Sequence, residues 1–200
     1  MTGARVFAAA MLASLASLVT AGPARAQSAG RVSAAELWFD GKASLGAFRG
    51  VTRTARGEVT EGAALEQSHG FVEFQAATLS TDNSIRDHDM RNTLDVEKYP
   101  LVRFDLDSVH VDGRESDSIR VELVGRFTVH GVTKPLRAPA VIRRGALGTR
   151  ATGSFSLVLP AYGITHLKRF LGTLTMDETI RVGFDVTFSA TPSESQEKRE

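Results

Sequence analysis

An antiparallel sheet that closes into a barrel, an all-β fold, is what this sequence predicts, and two observations carry the prediction. Apolar residues recur at every second position over long runs, and short turn signals separate those runs. Period-two alternation places the apolar side chains on one face of a half-buried strand. Long strands joined by tight turns pair antiparallel. Closure is preferred over an open sandwich because it leaves no edge strand unpaired.

Residues 1–26 read as an export signal rather than as part of the fold. Met1 and Arg5 give a positive start, Val6 to Val19 is uncharged and rich in Ala and Leu, and Ala24-Arg25-Ala26 offers small residues where a signal peptidase reads. The apolar run is too short to span a bilayer comfortably, and cleavage after Ala26 is expected. Residues 27–35 form a linker, 36–190 a single barrel domain, and 191–200 a disordered tail rich in Ser and alternating charge.

Within the domain, Val102, Phe104 and Leu106 alternate with Arg103, Asp105 and Asp107, and Val121, Leu123, Phe127 and Val129 alternate with Glu122, Arg126 and Thr128. Phe155, Leu157 and Leu159 form a third apolar face, and Ile180, Val182, Phe184, Val186 and Phe188 a fourth. Turn signals fall at Asp112-Gly113, His130-Gly131, Gly145 to Gly148 and Met176-Asp177. Helix is expected only between Ile85 and Lys98, where Asp87 or Asp89 caps one short turn and Asp95 another. Ala161 to Leu171 is irregular.

Composition narrows the partners. Without residues 1–26 the chain holds 22 basic and 23 acidic residues, a balance that argues against nucleic acid or an anionic membrane. No Cys is present, which excludes disulfides, thiolate zinc and iron–sulfur sites, and a lipid-anchored N-terminus. The expectation is a soluble periplasmic or secreted protein with no stable membrane insertion.

Four motifs stand in order: Asp82-Asn83-Ser84-Ile85-Arg86-Asp87-His88-Asp89-Met90; Tyr99-Pro100 with Phe104; Gly125-Arg126-Phe127-Thr128-Val129-His130-Gly131-Val132-Thr133-Lys134-Pro135; and Phe155-Ser156-Leu157 with Tyr162-Gly163-Ile164. Together they resemble the YceI family, whose lipocalin-like members bind polyisoprenoids. The resemblance covers about Glu36 to Ala190. It implies an extended eight-stranded antiparallel lipocalin-like barrel with one or two short helices. It also implies an exported carrier or storage protein whose interior holds a long isoprenoid lipid, for example an isoprenoid quinone. One stretch departs from the family pattern: Leu37 to Gly50 has neither of the two His that members often carry in their opening strand.

The candidate lining residues are Trp38, Phe74, Phe104, Phe127, Phe155 and Phe184. A micromolar complex needs about −8 kcal/mol, and lost freedom costs on the order of 10 kcal/mol. At roughly 0.8 kcal/mol per buried CH₂, tail burial alone reaches that affinity only with about twenty carbons or more. The alternative is a structural or stress-response interaction protein whose barrel is filled by its own side chains and takes no ligand.

Arg86, Asp87 and His88 form a polar cluster that either locks its segment over the barrel or lies at a mouth beside a head group. Consecutive positions of a helical turn point apart, so a metal or catalytic centre there is disfavoured. His130 reads as turn chemistry, and Tyr162 and His166 as part of a solvated loop or flap. Neither Ser44 nor Ser156 lies in a Gly-x-Ser-x-Gly context, and there is no phosphate-cradling Gly loop. No enzyme activity, metal or cofactor beyond a bound lipid is therefore expected. A homodimer stays open.

Overall fold

The alternating strands do close on themselves. The computed structural model describes residues 29–44, 46–146, 148–165, 168–169 and 174–190. In chain order the strands are β1 (Ala29–Ala43), β2 (Gly46–Thr52), β3 (Arg56–Thr60), β4 (His69–Gln75), β5 (Leu101–Arg114), β6 (Ile119–Val129), β7 (Val132–Gly145), β8 (Gly148–Val158), β9 (Lys168–Arg169), β10 (Leu174–Thr175) and β11 (Thr179–Ala190). Strand β1 pairs with β11 on one side and with β2 and β3 on the other, which completes the ring. Both β2 and β3 keep one register against β1, with Leu37 opposite Thr52 and Arg31 opposite Glu58. They are one strand interrupted at residues 53–55, and the barrel has eight antiparallel strands.

The expected alternations hold, with one phase change. A bulge between Leu106 and Ser108 of β5 passes the inward face from Val102, Phe104 and Leu106 to Val109 and Val111. The link from β6 to β7 is a two-residue turn, His130-Gly131, with φ of 52° and 72°. Positive φ at both centres matches the twist of the flanking strands. Strand β8 pairs with β7 only from Ala140 to Gly145. Pro135 and Pro139 of β7, which have no N–H to donate, fall where the strand has one ladder partner.

One α-helix, α1 (Ser84–Thr93), crosses the barrel end where β4 stops and β5 starts. Its cap is Asn83, whose side chain accepts from the Arg86 amide at 3.0 Å. Asp87 and Asp89 are not the cap, because both lie inside the helix and the Asp87 carboxylate is engaged elsewhere. Asp95 starts no second helix. It takes φ of 48° and its carbonyl accepts from the Lys98 and Tyr99 amides, which makes a turn.

The strand β1 opens at Ala29, so residues 29–35, expected as linker, belong to the barrel wall. The proposed export signal, the tail and His166 lie outside the described residues. Among the described residues no helix is long and apolar enough to cross a membrane.

Apolar side chains pack tightly at the two ends. At the α1 end Val102, Phe127, Val129, Leu157, Leu159, Tyr162, Ile164 and Ile180 form one buried cluster. At the far end Val109, Val121, Ala140, Ile142 and Ala151 form another.

Candidate functional site

The interior is hollow. It contains a cavity of about 350 Å³ whose wall runs from α1 to the far end of the barrel. The belt around its middle is apolar: Phe104, Leu106, Leu123, Leu136, Ala138, Phe155, Val182 and Phe184. At the α1 end Phe39, Phe48, Met90, Leu94 and Met176 contribute, together with Arg86, Asp89 and Thr93. At the opposite end Val59, Leu65 and Phe188 are joined by Glu61, Ser68 and Thr149. Polar side chains thus border the cavity at its two ends and leave the middle to hydrocarbon.

Space is kept open by a recurring pairing of aromatic rings with glycines on the neighbouring strand. Phe39 lies directly opposite Gly50, Phe48 opposite Gly41, and Phe184 opposite Gly153. A Cβ added at Gly50 would meet the Phe39 ring at 2.2 Å, one at Gly41 the Phe48 ring at 2.8 Å, and one at Gly153 the Phe184 ring at 2.6 Å. The Phe104 ring lies diagonally over Gly125, 2.9 Å from where a Cβ would stand, but there and at Gly153 a backbone carbonyl is nearer still, Asp105 at 2.0 Å and Pro139 at 2.3 Å. At Gly50 and Gly41 the ring folds down onto bare backbone, where a larger neighbour would push it upright into the lumen.

Of the sequence candidates, Phe74, Phe104, Phe127, Phe155 and Phe184 project inward and line the cavity. Trp38 also borders the cavity, although Leu37 and Phe39 hold the inward positions of β1 and the indole leans over the neighbouring strand. There it covers Gly183, where a Cβ would sit 2.2 Å from Cε2, and the Arg49 guanidinium is 5.5 Å from the ring centroid. Three consecutive apolar residues, Leu37-Trp38-Phe39, leave the phase of alternation ambiguous. The sequence reading missed Phe39, Phe48, Met90, Met176, Leu65 and Ser68 in the wall. The signal for the first two was available in Gly50 and Gly41.

The polar cluster separates into three different roles. The Asp87 carboxylate is buried and accepts from Ser80 Oγ at 2.9 Å, from the Thr81 amide at 2.7 Å and from Thr81 Oγ1 at 2.6 Å. Burial alone would raise its pKa, but the bonds from Thr81 and Ser80 outweigh that and hold the carboxyl below its usual range. Arg86 donates to Thr81 through Nε at 2.8 Å and through Nη2 to its carbonyl at 3.0 Å, and its guanidinium lies 4.8 Å from the Phe48 ring centroid. His88 turns to solvent and meets Asn92 at 3.0 Å. Asp87 therefore locks α1 to the segment before it, and that segment is itself fastened to β2 by paired backbone bonds between Ser80 and Val51 at 2.8 and 3.0 Å. Only Arg86 of the three reaches the cavity.

The other motifs meet at one junction beside α1. The Tyr99 ring stands 4.7 Å from His130, and His130 Nδ1 lies 3.1 Å from the Tyr162 carbonyl. Since a carbonyl only accepts, Nδ1 carries the proton. Tyr162 is buried against Phe127 at 6.0 Å between centroids, so it is core and not a solvated loop. Burial raises its phenol pKa. Gly163 follows at φ 74°. This junction is structural. Among the described residues no group of three or more His, Asp or Glu is placed to hold a metal ion.

The outer wall carries cross-strand ion pairs. Asp40 pairs with Arg49 at 2.6 Å, Glu36 with Arg53 at 2.7 Å, Glu73 with both Arg56 at 2.7 Å and Arg103 at 2.6 Å, Asp107 with Arg126 at 3.1 Å, Glu122 with Arg137 at 2.6 Å, and Asp185 with Arg150. Glu73 is buried, which by itself raises its pKa, and its two arginines reverse that and lower it.

Comparison with known proteins places this geometry. The model of the YceI-like domain matches residues 28–188. Among solved structures, a polyisoprenoid binding domain from Saccharophagus degradans, described as implicated in plant cell wall breakdown, superposes with a TM-score of 0.68 at 14% identity, covering 82% of this chain and 99% of that one. BcnA of Burkholderia cenocepacia gives a TM-score of 0.65 at 13% identity over 76% of this chain and 94% of that one. A Campylobacter jejuni YceI protein gives 0.56 at 15% identity over 71% and 84%. At these identities the likeness is one of fold. No curated protein sequence matches the chain significantly.

Proposed function

The chain belongs to the YceI-like family, and from that premise we propose that it binds a long-chain polyisoprenoid inside its barrel and serves as an exported carrier or storage protein. The observation that carries the reading is the hollow interior with its uninterrupted apolar belt. A strand such as β6 has 11 residues. At about 3.4 Å per residue and a tilt of about 40°, the wall is roughly 30 Å tall. That height suits an extended chain rather than a compact ligand. The similarity to a polyisoprenoid binding domain supports the same ligand class. An isoprenoid quinone is the specific occupant this reading favours, and a periplasmic or secreted location follows from the leader-like residues 1–26.

In this reading the protein works by binding and not by catalysis. Transfer of a long tail from a membrane into the lumen exchanges one hydrocarbon environment for another, so uptake and release can be near balance. The rival of a filled barrel with no ligand predicts an interior without room, and the cavity stands against it. The test is to purify the protein from its own host, extract it with organic solvent and analyse the extract by mass spectrometry. A stoichiometric long isoprenoid is expected. Protein that comes out empty, and takes up no octaprenyl lipid on mixing, would overturn the proposal.

A further inference from the structure

Two breaks in the pairing of the barrel wall are covered. The interruption at residues 53–55 keeps its register against β1 and is spanned by the bridge from Arg53 to Glu36 at 2.7 Å. The far half of β5, beyond its pairing with β4, has Leu65 packed into the cluster around Val109. The seam between β7 and β8 is closed differently. Its ladder stops at Ala140 and Gly153, and among the described residues 132–139 and 154–158 have no strand partner across it. On the inner side Leu136, Ala138, Phe155 and Leu157 line the cavity. Phe155 shuts the seam from within by packing its ring against Phe127 at 5.6 Å between centroids.

The sequence of β7 keeps this seam unlaced. The two-residue turn at His130-Gly131 makes Val129 and Val132 a hydrogen-bonded pair. Every second residue from Val132 then bonds to β6, and Thr133, Pro135, Arg137 and Pro139 face β8 instead. Continued past Ala140 and Gly153, the register would set Pro139 opposite Ser154, Arg137 opposite Ser156 and Pro135 opposite Val158. Both prolines fall where the ladder needs a donor, and neither has one. Among the described residues no ion pair joins β7 to β8, whereas β7 is tied to β6 and β8 to β11. Val158, at the outer lip, is 48% exposed.

We propose that the β7–β8 seam is the lateral portal through which the lipid tail enters and leaves the lumen, and that it is the face the barrel turns to a bilayer. The inference rests on the lipid-binding reading and adds to it a route. Buried clusters close both barrel ends, so end-on entry has to unpack a core. Parting two laced strands has to break backbone hydrogen bonds, each worth about two- to tenfold in an equilibrium constant. At the β7–β8 seam side-chain packing alone divides hydrocarbon outside from hydrocarbon inside. There Phe155 can swing aside without breaking a ladder bond, and the opening leads straight into the apolar belt.

The experiment follows transfer of an octaprenyl benzoquinone from phosphatidylcholine vesicles into wild-type and variant protein. Pro135→Val with Pro139→Val restores two donors facing β8, and slowed hydrogen exchange at the Ser156 and Val158 amides reports that the ladder has closed. Uptake and release should then both slow about tenfold, with equilibrium affinity held within about twofold. Arg137→Cys with Ser156→Cys, in a chain that has no Cys of its own, is joined across the seam by a short bis-maleimide and should show the same loss of rate. The same reagent on Thr128→Cys with Thr133→Cys, whose native hydroxyls lie 2.8 Å apart across β6 and β7, should leave the rate unchanged. An unchanged rate with the β7–β8 seam closed by either means, or equal slowing by the two cross-links, would overturn the portal. Failure of the wild type to take up the quinone at all would instead remove the lipid-binding reading itself.

Discussion

Asp87 shows how a residue that resembles an active-site carboxylate holds a fold together instead. Three donors from Ser80 and Thr81 converge on it, so Asp87→Asn should cost about 1–3 kcal/mol at neutral pH, measured by urea unfolding. The lowered pKa values of Asp87 and Glu73 fix the sign of the pH dependence. A carboxyl that titrates lower in the folded state than in the unfolded state stabilises at pH values above its unfolded pKa, and that contribution is lost as pH falls through the folded one. Stability should be flat from neutrality to about pH 5 and decline below about pH 4. The double variant Asp87→Asn/Glu73→Gln should show a shallower decline. At this scale the sequence was legible where alternation was clean, as at Phe104, Phe127, Phe155 and Phe184. It was less legible around Trp38, where an unbroken apolar triplet let either face be chosen, and at Phe39 and Phe48, whose strands are diluted by glycine.

The elements were readable in proportion to their length and regularity. Strands β5, β6, β8 and β11 carry their pattern openly, whereas β2 and β3 are short and diluted by glycine, and β7 contains two prolines that strand composition argues against. The β5 bulge is a property of pairing and has no local signature in Asp107-Ser108. The helix was located correctly but its cap was not, because Asp82, Asn83, Asp87 and Asp89 all qualify by residue type and only backbone geometry separates them. Asn83 takes the extended conformation a cap requires, at φ −142° and ψ 109°. Asn83→Ala should cost about 1 kcal/mol locally. Hydrogen exchange should quicken across α1 while the amides of β6 stay unchanged. Since α1 borders the cavity beside Arg86 and Met90, the same variant should also speed lipid exchange.

At the scale of the molecule, the sequence announced a closed barrel but not whether it was empty, since inward residues alternate in the same way around a core or around a lumen. The ion pairs outside bear on this. Exposed pairs contribute little stability, but ion pairs join β1 to β2, β3 to β4, β4 to β5, β5 to β6, β6 to β7 and β8 to β11, directly opposite or on the adjacent diagonal, so a slip by one residue along any of these seams would separate partners. Affinity should depend on chain length: each further buried CH₂ adds about 0.8 kcal/mol until the lumen is full, after which longer isoprenoids gain nothing. A titration series from short to long prenyl alcohols checks this. Gly50→Ala should tip the Phe39 ring into the lumen, because ring atoms are what an added Cβ meets there. The expected result is weaker uptake of long lipids with a stability change of about 1 kcal/mol or less. At Gly41 and Gly50 lumen space thus depends on a hydrogen where most strands carry a methyl or more. A container and a solid plug of the same outline differ here by a few carbon atoms, and the volume available for cargo can be adjusted without moving a strand.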